Sequence, residues 1–172
     1  GEALGMTVII TSRSNKHNAV PLDELLAKSD FISLHSPLNA DTKHMIDKVA
    51  LSKMKQSAYL INTGRGELVN EMDLIEALRE GTIAGAGLDV QEQEPPHETS
   101  ALYTLDNVML TPHIGWKRLE TRQRCVDMVA ANVAAFVAGS PMNVVNANSA
   151  ARTLDSSGSV CQCVPVCCSV LQ

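Results

Sequence analysis

The sequence predicts a doubly wound α/β domain on a parallel sheet, and three observations predict it. Short apolar runs recur through residues 1–138, several apolar at nearly every position instead of alternating. Strands covered by helices on both faces read this way. Segments with helical periodicity and recognisable start and stop residues separate these runs. Finally, residues able to do acid–base or anion-binding chemistry follow three of the runs directly. An open parallel sheet places its ligands there, outside the carboxyl ends of its strands.

Gly1-Glu2-Ala3-Leu4-Gly5 reads as a helix tail that runs into a first strand, Thr7 to Thr11. Pro21 then opens a helical pattern with Leu22, Leu25 and Leu26, because proline suits a helix's first turn. Phe31 to Leu34 and Ala58 to Asn62 are strand runs. Asn70 can cap a helix over Glu71 to Glu80, with Leu74, Ile75 and Leu78 on one face and Gly81 past its end. Gly85 to Val90 and Val108 to Leu110 complete the strands. A long helix is predicted from about Lys117 to Ala138, charged in its first half. Val126, Val129, Ala130, Val133 and Val137 give it an apolar stripe, and Gly139 and Pro141 end it. The domain so read spans 1–147; residues 148–172, rich in Ser and Ala and then Cys, are expected to be a disordered tail.

At 172 residues the chain can bury one sizeable core. A formal net charge of −5 argues against a nucleic-acid or anionic-membrane surface, since phosphate binding needs a basic patch. No apolar run approaches the ~20 residues of a membrane-spanning helix. No basic flank precedes an apolar core near Gly1, so no secretory signal is expected. Cys125 stands alone in the body, which suits a reduced, cytoplasmic setting. Cys161, Cys163, Cys167 and Cys168 match zinc in number but not in spacing, and no histidine lies nearby, so no metal site is predicted.

The three polar loops carry the functional signal. Asn62-Thr63-Gly64-Arg65-Gly66 follows one strand, Gln91-Glu92-Gln93-Glu94-Pro95-Pro96 the next, and Thr111-Pro112-His113-Ile114-Gly115-Trp116 the last. Singly, each has an ordinary alternative: a solvated turn arginine, a loop charge, a histidine serving a backbone carbonyl. Together they make a chemical set. Arginine's planar fork binds a carboxylate at two points. Histidine exchanges a proton near neutral pH, and a paired carboxylate fixes its tautomer. A proton donor beside a carboxylate fork suits a small 2-oxo acid or 2-hydroxy acid, whose interconversion moves a hydride and a proton.

With His35-Ser36-Pro37-Leu38, Thr42 and Ala84-Gly85-Ala86-Gly87-Leu88-Asp89-Val90 added, these motifs resemble the D-isomer-specific 2-hydroxyacid dehydrogenases over roughly Gly1 to Asn146. Gly115-Trp116 with Arg122-Gln123-Arg124 is similar to the hydroxypyruvate/glyoxylate reductase, or glycerate dehydrogenase, branch. The resemblance implies a Rossmann-type fold and catalytic roles for Arg65, Glu94 and His113. Arg65 would bind the substrate carboxylate, His113 would be the general acid or base, and Glu94 would hold it. Asp89 would meet the nicotinamide carboxamide. Ser36, Pro37, Thr42, Thr63, Gly64, Arg65, His113 and Gly115 would complete the cofactor cleft, and the intact protein would be a homodimer.

Cofactor choice is read from Thr11-Ser12-Arg13. NAD-binding domains place a carboxylate at this strand's end for the adenosine ribose. Here Ser12 and Arg13 stand instead and can accommodate a 2′-phosphate, so NADP is favoured with NAD kept open. Arg13 could also lie over the adenine or in solvent. The sequence departs from the family in lacking the G-x-G-x-x-G loop and the strand leading into it, central in the order 3-2-1-4-5-6. An N-terminally truncated domain is therefore expected, with weak dinucleotide binding and little activity alone. Two other readings are a non-catalytic, dinucleotide-sensing assembly module of the corepressor type and an adenosylhomocysteinase-like hydrolase. The Gly64-Arg65-Gly66, Glu94-Pro95 and Pro112-His113 set argues against the hydrolase.

Overall fold

The computed structural model describes residues 1–12 and 19–145. The chain divides after Gly115 into two units. In the first unit, Pro21 precedes α1 (Leu22–Lys28), whose first turn carries Asp23 and Glu24 and whose last turn carries Lys28. That charge order complements the helix dipole. After β1 (Phe31–Leu34), Asp47 caps α2 (Lys48–Ser52) by accepting the Ala50 amide at 2.9 Å. α2 is too short for a periodic signal and has no counterpart in the sequence reading; its cap residue was its one visible mark.

β2 (Tyr59–Asn62) is followed by a single 3₁₀ turn, Gly66–Leu68, and then α3 (Glu71–Glu80). α3 matches its expected bounds. Asn70 accepts the Asp73 amide at 3.2 Å, and Gly81 ends the helix at φ 68°, a conformation glycine adopts without strain. β3 (Gly85–Leu88), a 3₁₀ turn at Ala101–Thr104 and β4 (Val108–Leu110) complete the unit.

The four strands are parallel in the order β1-β2-β3-β4. Register aligns Ile32 with Leu60, Ala86 and Val108, and Leu34 with Asn62, Leu88 and Leu110. That face packs into a core with Leu26, Leu51, Leu74, Ile75 and Leu78 from the three helices. The opposite face carries Phe31 and Tyr59, whose rings stack at 5.8 Å, and Met109, all exposed. Gly85 aligns with Tyr59, and a Cβ there would come within 2.8 Å of the tyrosine ring and 2.6 Å of the Asn107 carbonyl. The parallel α/β class thus holds, and within the first unit α1 to α3 pack on one face of the sheet. Apolar composition records strand preference; which face is buried depends on packing partners.

Thr7 to Thr11 does not enter this sheet. Among the described residues it makes a parallel bridge between Ile10 and Ala19, with the Val20 amide on the Ile10 carbonyl at 2.8 Å. Backbone donors and acceptors become a ladder only beside another strand, and none of β1 to β4 pairs with this run. The preceding helix tail is one 3₁₀ turn, Glu2–Leu4, closed by Gly5 at φ 77°.

In the second unit, α4 (Leu119–Val137) lies within the expected 117–138. Its stripe is not buried: Val126, Val129, Val133 and Val137 are all exposed. Helical hydrogen bonds are local, so the pattern specifies this helix without fixing its burial. No helix among the described residues is long and apolar enough to cross a membrane. The tail expected at 148–172 lies outside the described residues.

Candidate active site

The carboxyl ends of β2, β3 and β4 deliver the three predicted loops to one edge of the sheet. At the end of β2, the buried Asn62 side chain shapes the turn. Its Nδ2 donates to the Arg65 carbonyl at 2.8 Å and its Oδ1 accepts the Gly64 amide at 3.1 Å. Arg65 therefore leaves the turn exposed, with Nη1 donating to the Gly64 carbonyl at 2.8 Å. Gly66 packs against the next loop so closely that a Cβ would lie 1.9 Å from the Gln91 carbonyl oxygen. Neither Asn62 nor Gly66 figured in the sequence reading beyond its motif. Only the contact across strands gives them their roles.

After β3, Asp89 is buried and its carboxylate organises the turn that follows β4. Oδ1 accepts from the Thr111 hydroxyl at 2.5 Å and the Ile114 amide at 2.9 Å; Oδ2 accepts from the Gly115 amide at 2.8 Å. Burial pushes this carboxyl up, but the Thr111 hydroxyl, the two amides and the nearby His113 outweigh it and hold Asp89 below the usual carboxylate range. The same turn sets His113 at φ 53°, its amide on the Asp89 carbonyl at 2.8 Å. A Cβ at Gly115 would approach Asp89 Oδ2 at 3.0 Å, which explains the small residue.

Glu94 joins the two loops. Its Oε1 accepts the Gln91 amide at 3.2 Å and its Oε2 lies 2.7 Å from His113 Nδ1. Both side chains are about two-fifths exposed, open to solvent on one side. A carboxylate only accepts, so Nδ1 carries the hydrogen of this bond and Nε2 is where the ring gains or loses its second proton. The Glu94–Pro95 peptide is cis.

The other predicted residues distribute unevenly. Thr42 is buried and closes its own loop: its hydroxyl donates to the Pro37 carbonyl at 2.7 Å and accepts the Asn39 amide at 2.9 Å. Ser36 is half-buried, and Pro37, Thr63 and Ser12 are exposed. His35 Nε2 lies 2.9 Å from the Ser33 hydroxyl. Arg13, on which the cofactor preference turned, lies outside the described residues, as do Cys161, Cys163, Cys167 and Cys168.

A second histidine–carboxylate pair, absent from the sequence reading, sits two residues from Glu94. Glu92 Oε1 lies 2.7 Å from His44 Nε2, and Glu92 Oε2 accepts the Glu71 amide at 3.1 Å. The Glu92 amide in turn donates to Glu71 Oε2 at 3.0 Å. Burial raises the Glu92 carboxyl, but the Glu71 amide, His44 and Lys43 hold it below the ordinary range. His44 and Glu92 are 48 positions apart, so no local pattern could have joined them.

Four parallel strands that deliver an arginine turn, a carboxylate loop and a histidine turn to one edge make a Rossmann-like domain of the dinucleotide-binding class. The chain belongs to the D-isomer specific 2-hydroxyacid dehydrogenase family, whose NAD binding domain profile matches residues 1–115. It is 49% identical over 148 residues to a glycerate dehydrogenase of Methylorubrum extorquens, covering 85% of this chain and 47% of that one. A glyoxylate reductase of Korarchaeum cryptofilum is 52% identical over 128 residues, covering 74% of this chain and 39% of the relative. Among solved structures, an acyclic imino acid reductase in complex with NADPH and D-arginine superposes with a TM-score of 0.79 at 37% identity. That match covers 84% of this chain and 47% of the other. The chain therefore spans about half the length of the relatives it matches or less.

Proposed function

We propose that this chain carries the nicotinamide-side catalytic residues of an NAD(P)-dependent reductase of small 2-oxo acids, working reversibly on D-2-hydroxy acids. Glyoxylate and hydroxypyruvate are the preferred substrates, in keeping with the relatives' names. The 2.7 Å bond between Glu94 and His113 carries this reading. It is an oriented acid–base pair at the strand edge that also bears Arg65. The nicotinamide, when bound, supplies or accepts the hydride.

The residues fit the nicotinamide end of that cofactor. Asp89 is ionised and spends three acceptor positions on the His113 turn, which leaves its carboxylate capacity for one more donor such as a carboxamide. Arg65 holds the substrate carboxylate in a planar fork. His113 gives the proton from Nε2 to the carbonyl oxygen during reduction and takes it back during oxidation. Glu94 keeps the ring in the Nδ1–H tautomer and stabilises the imidazolium. Ser12 and Arg13 support NADP over NAD, while the family profile names NAD. A homodimer in the cytoplasm belongs to the same proposal.

The test is oxidation of NADH and of NADPH by glyoxylate, hydroxypyruvate and pyruvate. It is run on the chain itself and on a chimera in which this chain replaces the matching half of the M. extorquens relative. Hydroxypyruvate or glyoxylate turnover by the chimera is expected, with His113→Asn lowering kcat by ~10²–10⁴-fold, the range for a positioned acid or base. Turnover unaffected by His113→Asn would overturn the reading, as would a folded chimera that reduces none of the three.

A further inference from the structure

The geometry points to His44 and Glu92 as a positioning pair that locks the Arg65 turn and the Glu94–His113 pair into one rigid arrangement. This inference rests on the reading of Glu94 and His113 as the acid–base pair. Four contacts carry it, and all converge on the two residues Gln91 and Glu92.

The first contact is the His44–Glu92 bond at 2.7 Å. Because Glu92 is ionised and only accepts, His44 must donate from Nε2. His44 is itself set by its backbone, at φ 53° with its amide on the Glu67 carbonyl at 2.7 Å. The second contact is reciprocal: the Glu92 side chain takes the Glu71 amide while the Glu71 side chain takes the Glu92 amide. Glu71 is the first residue of α3, so Glu92 also lies at the favourable end of that helix's dipole. Third, Gly66 touches the backbone of Gln91 and Glu92 with no room for a single methyl group. Fourth, the Gln91 amide holds Glu94 Oε1, which leaves Oε2 for His113.

The path is therefore short and made of direct contacts. Loop 43–46 and the start of α3 grip Glu92; Glu92 and Gln91 are wedged on Gly66, beside Arg65; Gln91 aims Glu94 at His113. Among the described residues, His44, Lys43 and Glu71 are the charged or titratable groups that act on Glu92. Removing either side chain of the His44–Glu92 pair frees the loop while leaving every proposed catalytic side chain in place. Groups in one hydrogen-bonded network respond together instead of additively.

The experiment reads the His113 Nδ1–H proton by NMR in this chain, through its resonance and its exchange with solvent, and requires no turnover. In Glu92→Ala and in His44→Asn, that proton is expected to exchange roughly tenfold faster, the scale of coupling between contacting groups. Asn tolerates the positive φ of position 44 but is too short to reach Glu92. Glu92→Gln, which can still accept the Glu71 amide, is expected to restore most of the protection. The double variant His44→Asn/Glu92→Ala is expected to be no worse than Glu92→Ala alone. Unchanged exchange in His44→Asn and Glu92→Ala, with the strand amide spectrum intact, would overturn the inference. So would fully additive effects in the double variant. A folded chimera that reduces no oxo acid would sink the functional proposal and leave this measurement standing.

Discussion

Asp89 shows how much one buried carboxylate can organise. Three donors from the Thr111–Gly115 turn converge on it, and its own carbonyl receives the His113 amide. The motif around it singled Asp89 out, but its grip on the histidine turn is long-range and was not legible. Gly66 makes a sharper case. A methyl group there would overlap the Gln91 carbonyl and the Glu92 nitrogen, both backbone atoms that cannot swing aside. Gly66→Ala is expected to destabilise the fold by about 2–3 kcal/mol, at the upper end of overpacking costs. Urea unfolding midpoints would check this, and a midpoint equal to wild type would mean that the two loops separate easily.

Among the elements, α3 was the most legible and α2 the least. α3 has a cap, an apolar face and a terminal glycine, all local signals, and the structure places each as expected. Asn70→Ala removes the side chain that accepts the Asp73 amide and is expected to cost about 1 kcal/mol. Thermal unfolding would show it, and Asn70→Asp or Asn70→Ser should recover most of the loss. Thr7 to Thr11 illustrates the converse. Its composition favours a strand, yet a ladder forms only where another strand lies alongside, and none of β1 to β4 pairs with it. α4 is likewise a helix by pattern whose apolar stripe remains exposed.

Across the whole molecule, acidic pH should act through the two carboxylates held below their ordinary range, Asp89 and Glu92. A depressed native value means that the unfolded state takes up protons first as pH falls. Their contribution is thus complete above the ordinary carboxylate range, at about pH 4, and is lost as pH drops through the native values. Urea midpoints measured from pH 6 downward should fall in that window, and Asp89→Asn together with Glu92→Gln should flatten the decline. A wild-type profile flat through pH 3 would count against it. The parallel α/β class, the elements Glu71–Glu80 and Val108–Leu110, and the position of Arg65, Glu94 and His113 after successive strands could all be read from residue order, because caps, periodicity and motif spacing are local. Which sheet face is buried, how Thr7 to Thr11 ends, and which loops Asn62, Gly66, Asp89, His44 and Glu92 join were decided only in three dimensions. Those properties depend on atoms that are far apart in the chain and meet only when the strands align.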